Sequence, residues 1–113
     1  RMTDRVIYSS FNHFSLANLR GRVAPEHIGL LLSDGIYDPW RYASWFGAGA
    51  VHPHQQALLQ PHYVWLCHEA GVKVNAWTVN KDDAARRLAE LGVDALITDV
   101  PDRIAEAVRA PRY

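Results

Sequence analysis

The sequence predicts an α/β fold, one domain of parallel strands separated by helices. Three observations carry this. Short apolar or β-branched runs alternate with helical patterns along the chain. The segment Val72–Asp99 reads strand, helix, strand within about 30 residues, the length of a βαβ unit with parallel strands. The 113 residues, 49% of them hydrophobic, fit one small domain able to bury a core.

The strands are taken first. Val6–Phe11 is β-branched and aromatic, and Ile28–Leu32 is continuously apolar, as a strand covered on both faces should be. Val72–Val79 and Val93–Thr98 are two more, and Ala50–His52 is a weaker fifth. Helices fall between them. Asp38 before Pro39 predicts a carboxylate cap and a helix running to about Phe46. Pro61 opens a second helix that Gly71 closes in a left-handed conformation. Asn80 is expected to cap Lys81–Leu91, where Ala84, Leu88 and Leu91 recur at helical spacing and Gly92 stops the helix. Pro101 starts a last helix with Ile104, Ala107 and Val108 on one side. There is no linker, repeat or low-complexity tract.

The charge balance excludes several function classes. Twelve basic and twelve acidic residues give a formal net charge of zero, which argues against nucleic acid as a partner and favours self-association. One cysteine, Cys67, cannot form an internal disulfide. No apolar run reaches the roughly 18–20 residues of a membrane span, and Arg1–Asp4 lacks a signal peptide's apolar stretch. The expectation is a cytoplasmic protein.

In parallel α/β folds the chemistry gathers at the C-terminal ends of the strands. Those ends carry Ser10-Phe11-Asn12-His13, His52-Pro53-His54, Trp77-Thr78-Val79-Asn80 and Thr98-Asp99-Val100-Pro101, a polar and aromatic set suited to a small-molecule pocket. Ser10 has no surrounding nucleophile motif and reads as a turn residue. Trp77 reads as core or pocket wall, and strand alternation puts Asn75 and Val79 on its side. His52 and His54 would share a face and could begin a zinc site, but Pro53 favours a loop and no third ligand stands at a recognisable spacing. His62 and His68 splay around a helix. Asp99 reads as a helix cap, and His13 and His27 carry no distinct signal. Gly47-Ala48-Gly49 is no phosphate loop, and no strand ends in a carboxylate pair for a hard cation.

The strand ending SSF at Ser9–Phe11, His52-Pro53, AGVKVNAWTVN and LGVDALITDVP occur in that order. Together they resemble the C-terminal portion of the glycerophosphodiester phosphodiesterase family, over about Val6–Val108. The most specific pair is WTVN followed by ITDVP. The resemblance implies the C-terminal half of a TIM (β/α)₈ barrel, beginning about where the fifth strand should. It implies a hydrolase that splits glycerophosphodiesters into an alcohol and glycerol 3-phosphate with Mg²⁺ or Ca²⁺ and histidine acid–base chemistry. Ser10, Phe11 and Trp77 match positions that line the substrate pocket, with Trp77 the aromatic wall beside the glycerol. The family's HRG, Glu-x-Asp, His-Asp and Glu-x-Lys motifs are absent, so no residue maps to a catalytic or metal role and no cofactor is expected on this chain alone.

A half-barrel of four or five strands would have two unpaired edges and a half-exposed apolar interior; Ile7, Leu31, Val74 and Ile97 lie in the strands that would suffer. The expected remedy is a homodimer or a complementary N-terminal half-barrel. The chain is then a truncated, inactive half of a phosphodiesterase, or a silent self-associating module that keeps a weak phosphodiester pocket.

Overall fold

The computed structural model describes residues 8–19, 21–33, 36–60 and 62–109. Five strands, β1 (Tyr8–Ser10), β2 (Ile28–Leu32), β3 (Ala50–Pro53), β4 (Lys73–Ala76) and β5 (Ala95–Leu96), form one sheet in the order of the chain, and every neighbouring pair is parallel. An order that never reverses is the winding of a closed-barrel segment; a doubly wound sheet changes direction partway. Helices α1 (His13–Ala17), α2 (Pro39–Phe46), α3 (Tyr63–Glu69), α4 (Asp82–Leu91) and α5 (Pro101–Arg109) follow the strands in turn, with short 3₁₀ helices at Pro25–His27 and Gln55–Leu59.

Alternation along the strands sorts side chains onto two faces. Leu30, Val51 and Val74 stand in one register row and are completely buried. They join Ile28, Leu32 and Ala76 against Leu16, Ala43, Phe46, Val64, Cys67, Ala85, Leu88 and Ile104, so the core lies between the sheet and the helices. Val74 therefore points into the helical layer, away from the interior of the half-barrel. Leu31 is half-buried and Ile97 is 38% exposed. Ile7 and Val6 lie outside the described residues.

β2 and α2 have the predicted bounds, and the Val72–Asp99 unit is strand, helix, strand. Gly71 and Gly92 sit at φ 75° and 90°, the left-handed region that ends α3 and α4. Several local expectations change. Asp38, at φ 50°, makes no side-chain cap; its carboxylate lies 3.5 Å from the Arg41 guanidinium instead. Helix α4 starts at Asp82 after an uncapped Lys81, because the Asn80 side chain is spent on Thr98 and Asp99. Helix α3 starts at Tyr63, and Pro61 lies outside the described residues. β4 ends at Ala76 with a single bridge at Trp77, so alternation does not reach Val79, which is buried in the core. β5 shrinks to two residues. The weak fifth strand, β3, is the middle of the sheet and buried throughout. Among the described residues no helix is long and apolar enough to cross a membrane.

Candidate functional site

The inner face of the sheet carries a row of polar side chains from three strands. Ser9 Oγ on β1 lies 2.8 Å from His52 Nδ1 on β3. Asn75 on β4 donates its Nδ2 to His52 Nε2 at 3.0 Å. Strand β2 runs between Ser9 and His52, and Gly29 makes the crossing passable. A Cβ on Gly29 would sit 2.3 Å from His52 Nε2 and 2.5 Å from Cε1, so only a residue without one lets the imidazole lie over the strand. His52 and Asn75 are 5% and 7% exposed. Burial disfavours the imidazolium and pushes the His52 pKa below its ordinary value.

Trp77 stands beside this row. Its indole Nε1 donates to the His52 carbonyl at 2.6 Å, and its ring meets Phe11 and His54 edge to face at centroid distances of 5.6 and 5.0 Å. His52 thus touches Ser9 and Asn75 through its ring and Trp77 through its carbonyl. Phe11 is 57% exposed, leaving a wet aromatic surface at the rim. Gln55 ties the next loop down by donating to the Thr78 carbonyl at 2.8 Å. Ser10 Oγ accepts from the Asn12 N–H at 3.0 Å, a turn bond; Ser9 is the serine that reaches His52.

The other candidates disperse. His54 Nδ1 accepts from the Gln56 N–H at 3.2 Å and begins a 3₁₀ helix, so it does not pair with His52. His13 bonds the Tyr42 hydroxyl and the Leu31 carbonyl, and His68 lies 2.7 Å from Asp94 Oδ2. Asp99 accepts from Asn80 Nδ2 at 2.9 Å, Thr98 donates to Asn80 Oδ1, and Arg103 donates to the Asn80 carbonyl. That cluster ties α5 to the loop before α4. A cavity of about 480 Å³ opens at the same rim, lined by Ile36, Tyr37, Trp40, His54 and Tyr63, with His54 as the wall shared with Trp77. A cavity of about 810 Å³ under Arg22–Pro25 and Gly47 lies at the opposite ends of the strands. Among the described residues, no three His, Cys, Asp or Glu side chains gather as a metal would require.

The model of the glycerophosphoryl diester phosphodiesterase family matches residues 1–103. The chain belongs to that family. A glycerophosphodiester phosphodiesterase of Caldanaerobacter subterraneus subsp. tengcongensis is 38% identical over 106 residues, which are 94% of this chain and 43% of the relative. Another, from Bacillus altitudinis, is 32% identical over 104 residues, or 91% and 42%. The chain therefore spans less than half the length of these relatives. Among solved structures, an Oleispira antarctica phosphodiesterase in complex with the product sn-glycerol-3-phosphate superimposes with a TM-score of 0.80 at 27% identity, covering 92% of this chain and 42% of that one. A putative glycerophosphoryl diester phosphodiesterase of Silicibacter pomeroyi gives 0.83 at 26% identity, covering 96% and 39%. The family's enzymes are TIM barrels. The five parallel strands described here are one more than a chain beginning at the fifth of eight strands would supply, so the expected starting strand is too late by one.

Proposed function

We propose that this chain is one wall of a glycerophosphodiester phosphodiesterase. Trp77 and Phe11 line the substrate side. Ser10, expected there, shares the register row of the core residue Leu30 and makes a turn bond to Asn12, so Ser9 takes its place. Complementary strands carry the acid–base and cation-binding groups. The observation that carries this reading is the make-up of the inner face: hydrogen-bonding and aromatic side chains are ordered around His52, with no carboxylate among them. A Mg²⁺ or Ca²⁺ ion needs several oxygen ligands, carboxylates foremost. The residues gathered here do not fit it, and no catalytic step is assigned to this wall. Its work is to pack the glycerol against the Trp77 indole, exclude water along the Phe11 edge and orient the diester. The chain alone is inactive. Its partner is a complementary half-barrel or a second copy, its ligand a small phosphodiester, and its place the cytoplasm.

With Mg²⁺ or Ca²⁺ supplied, the purified chain should not hydrolyse glycerophosphocholine, while sn-glycerol 3-phosphate should perturb its tryptophan fluorescence. That response should vanish in Trp77→Phe. Turnover by the chain alone would overturn the division of labour. The second reading is a silent self-associating module, favoured by sheet edges at β1 and β5 that pair with no further strand among the described residues. A stable monomer at micromolar concentration in sedimentation would remove it.

A further inference from the structure

We propose that Asn75, His52 and Ser9 form a positioning relay that turns the Ser9 hydroxyl hydrogen toward the lumen as a donor to a phosphoryl oxygen, and that Gly29 exists to make room for it. The inference deepens the reading of this wall as substrate-binding and rests on it.

The direction of the relay follows from donor and acceptor inventories. The Asn75 amide nitrogen is a donor only, and it lies 3.0 Å from His52 Nε2; Nε2 must accept. A neutral imidazole holds one proton, so that proton is on Nδ1 and is given to Ser9 Oγ at 2.8 Å. Having accepted from His52, the Ser9 oxygen directs its own hydrogen away from the ring. Ser9 is the exposed end of the row while Asn75 and His52 are its buried end, so that hydrogen faces solvent at the C-terminal half of β1. The same His52 residue holds Trp77 through its carbonyl, which places donor and aromatic wall in one rigid unit. A phosphoryl oxygen is the ligand such an arrangement suits, since an anionic acceptor strengthens a neutral hydroxyl donor. The reversed relay, with Nε2–H given to Asn75 and the Ser9 hydroxyl given to Nδ1, would turn serine lone pairs toward the same oxygen and repel it.

The test reads the two directions apart. The full 113-residue chain is labelled with ¹⁵N-histidine, and His52 is assigned by loss of its signals in His52→Gln. Long-range ¹H–¹⁵N correlation should report the Nδ1–H tautomer, and sn-glycerol 3-phosphate should shift that proton. Ser9→Ala should weaken glycerol 3-phosphate binding about tenfold or more, with Ser9→Thr restoring most of it and Gly29→Ala abolishing the Nδ1–H signature. An Nε2–H tautomer overturns the relay. So does a folded Ser9→Ala chain that binds as tightly as the wild type; in that case the substrate wall stands and this inference alone falls. If the wild-type chain gives no response to glycerol 3-phosphate at all, the wall and the relay fall together.

Discussion

Gly29→Ala is the most informative single substitution, because one methyl group meets three atoms of one ring. The new Cβ would lie 2.3, 2.5 and 2.9 Å from His52 Nε2, Cε1 and Cδ2, all well inside van der Waals contact. The ring has to leave its place over β2. Overpacking of this kind costs typically about 1–3 kcal/mol. Displacing the ring also breaks its bonds to Ser9 and Asn75, at about 1 kcal/mol net each. The expected loss is roughly 3–5 kcal/mol, a large part of the roughly 5–15 kcal/mol a domain has. Urea denaturation at fixed protein concentration measures it. The decisive comparison is the double mutant. His52→Ala removes the ring that the added methyl strikes, so Gly29→Ala/His52→Ala should be less destabilised than the sum of its parts by more than about 1 kcal/mol. Additive losses, or a Gly29→Ala chain within about 0.5 kcal/mol of the wild type, would refute the packing argument.

Other consequences are measurable in the same preparations. Burial holds the folded-state pKa of His52 below 6.5, so the unfolded chain binds the extra proton first as pH falls. The stability from a neutral His52 is full above 6.5 and is lost toward the lower folded value, so the wild type should lose its advantage over His52→Gln in urea midpoints taken at falling pH. Asp94 Oδ2 accepts from the Val74 N–H at 2.7 Å while its own N–H bonds the Val74 carbonyl at 2.8 Å; Asp94→Ala should orphan the first donor and cost about 1–3 kcal/mol in thermal or urea unfolding. The Cys67 thiol is pushed up to about 12 by burial and, second, by the Asp94 carboxylate, so alkylation at neutral pH should proceed only at the rate of unfolding. Trp77→Phe removes the indole bond to His52 and should cost about 1 kcal/mol of stability, read by urea unfolding.

The fold was legible where local pattern and tertiary role agree. Ile28–Leu32 is read to the residue because a continuous run of apolar residues, four of them bulky, suits a strand covered on both faces, and burial follows. Helix α2 is also found, though for a partly wrong reason: Pro39 sets its start while the Asp38 carboxylate turns to Arg41. Ala50–His52 is a weak strand signal by itself, being only three residues long with Pro53 behind it, yet the strand, which runs to Pro53, is the centre of the sheet. Its histidine finds partners 43 and 23 residues away, and no sequence window contains them. Trp77, Phe11 and His52 stand among the strand-end residues that the sequence singles out, but the contact between Ser9 and His52 has no local signature for the same reason. Ser10 and Phe11 drew attention as the end of a motif, while Ser9 makes the long-range contact. Two signals pointed to it in retrospect: a glycine inside an otherwise apolar strand, which marks close approach by a neighbour, and the shared parity of Asn75 and Trp77.

The two faces of the sheet also explain how so small a polar row stays in place. Along each strand a core residue alternates with a lumen residue: Leu30 follows Gly29, Val51 precedes His52, and Val74 precedes Asn75. Leu30, Val51 and Val74 are all completely buried against the helices. A slip of one residue in any strand would expose one of them and drive His52 or Asn75 into the apolar layer, where an unbonded polar group costs about 1–3 kcal/mol. The hydrophobic row thus fixes the register, and the register fixes which polar groups meet. Within that fixed register Gly29 is the inner position that admits no side chain, since a Cβ there would meet the His52 ring at 2.3 Å.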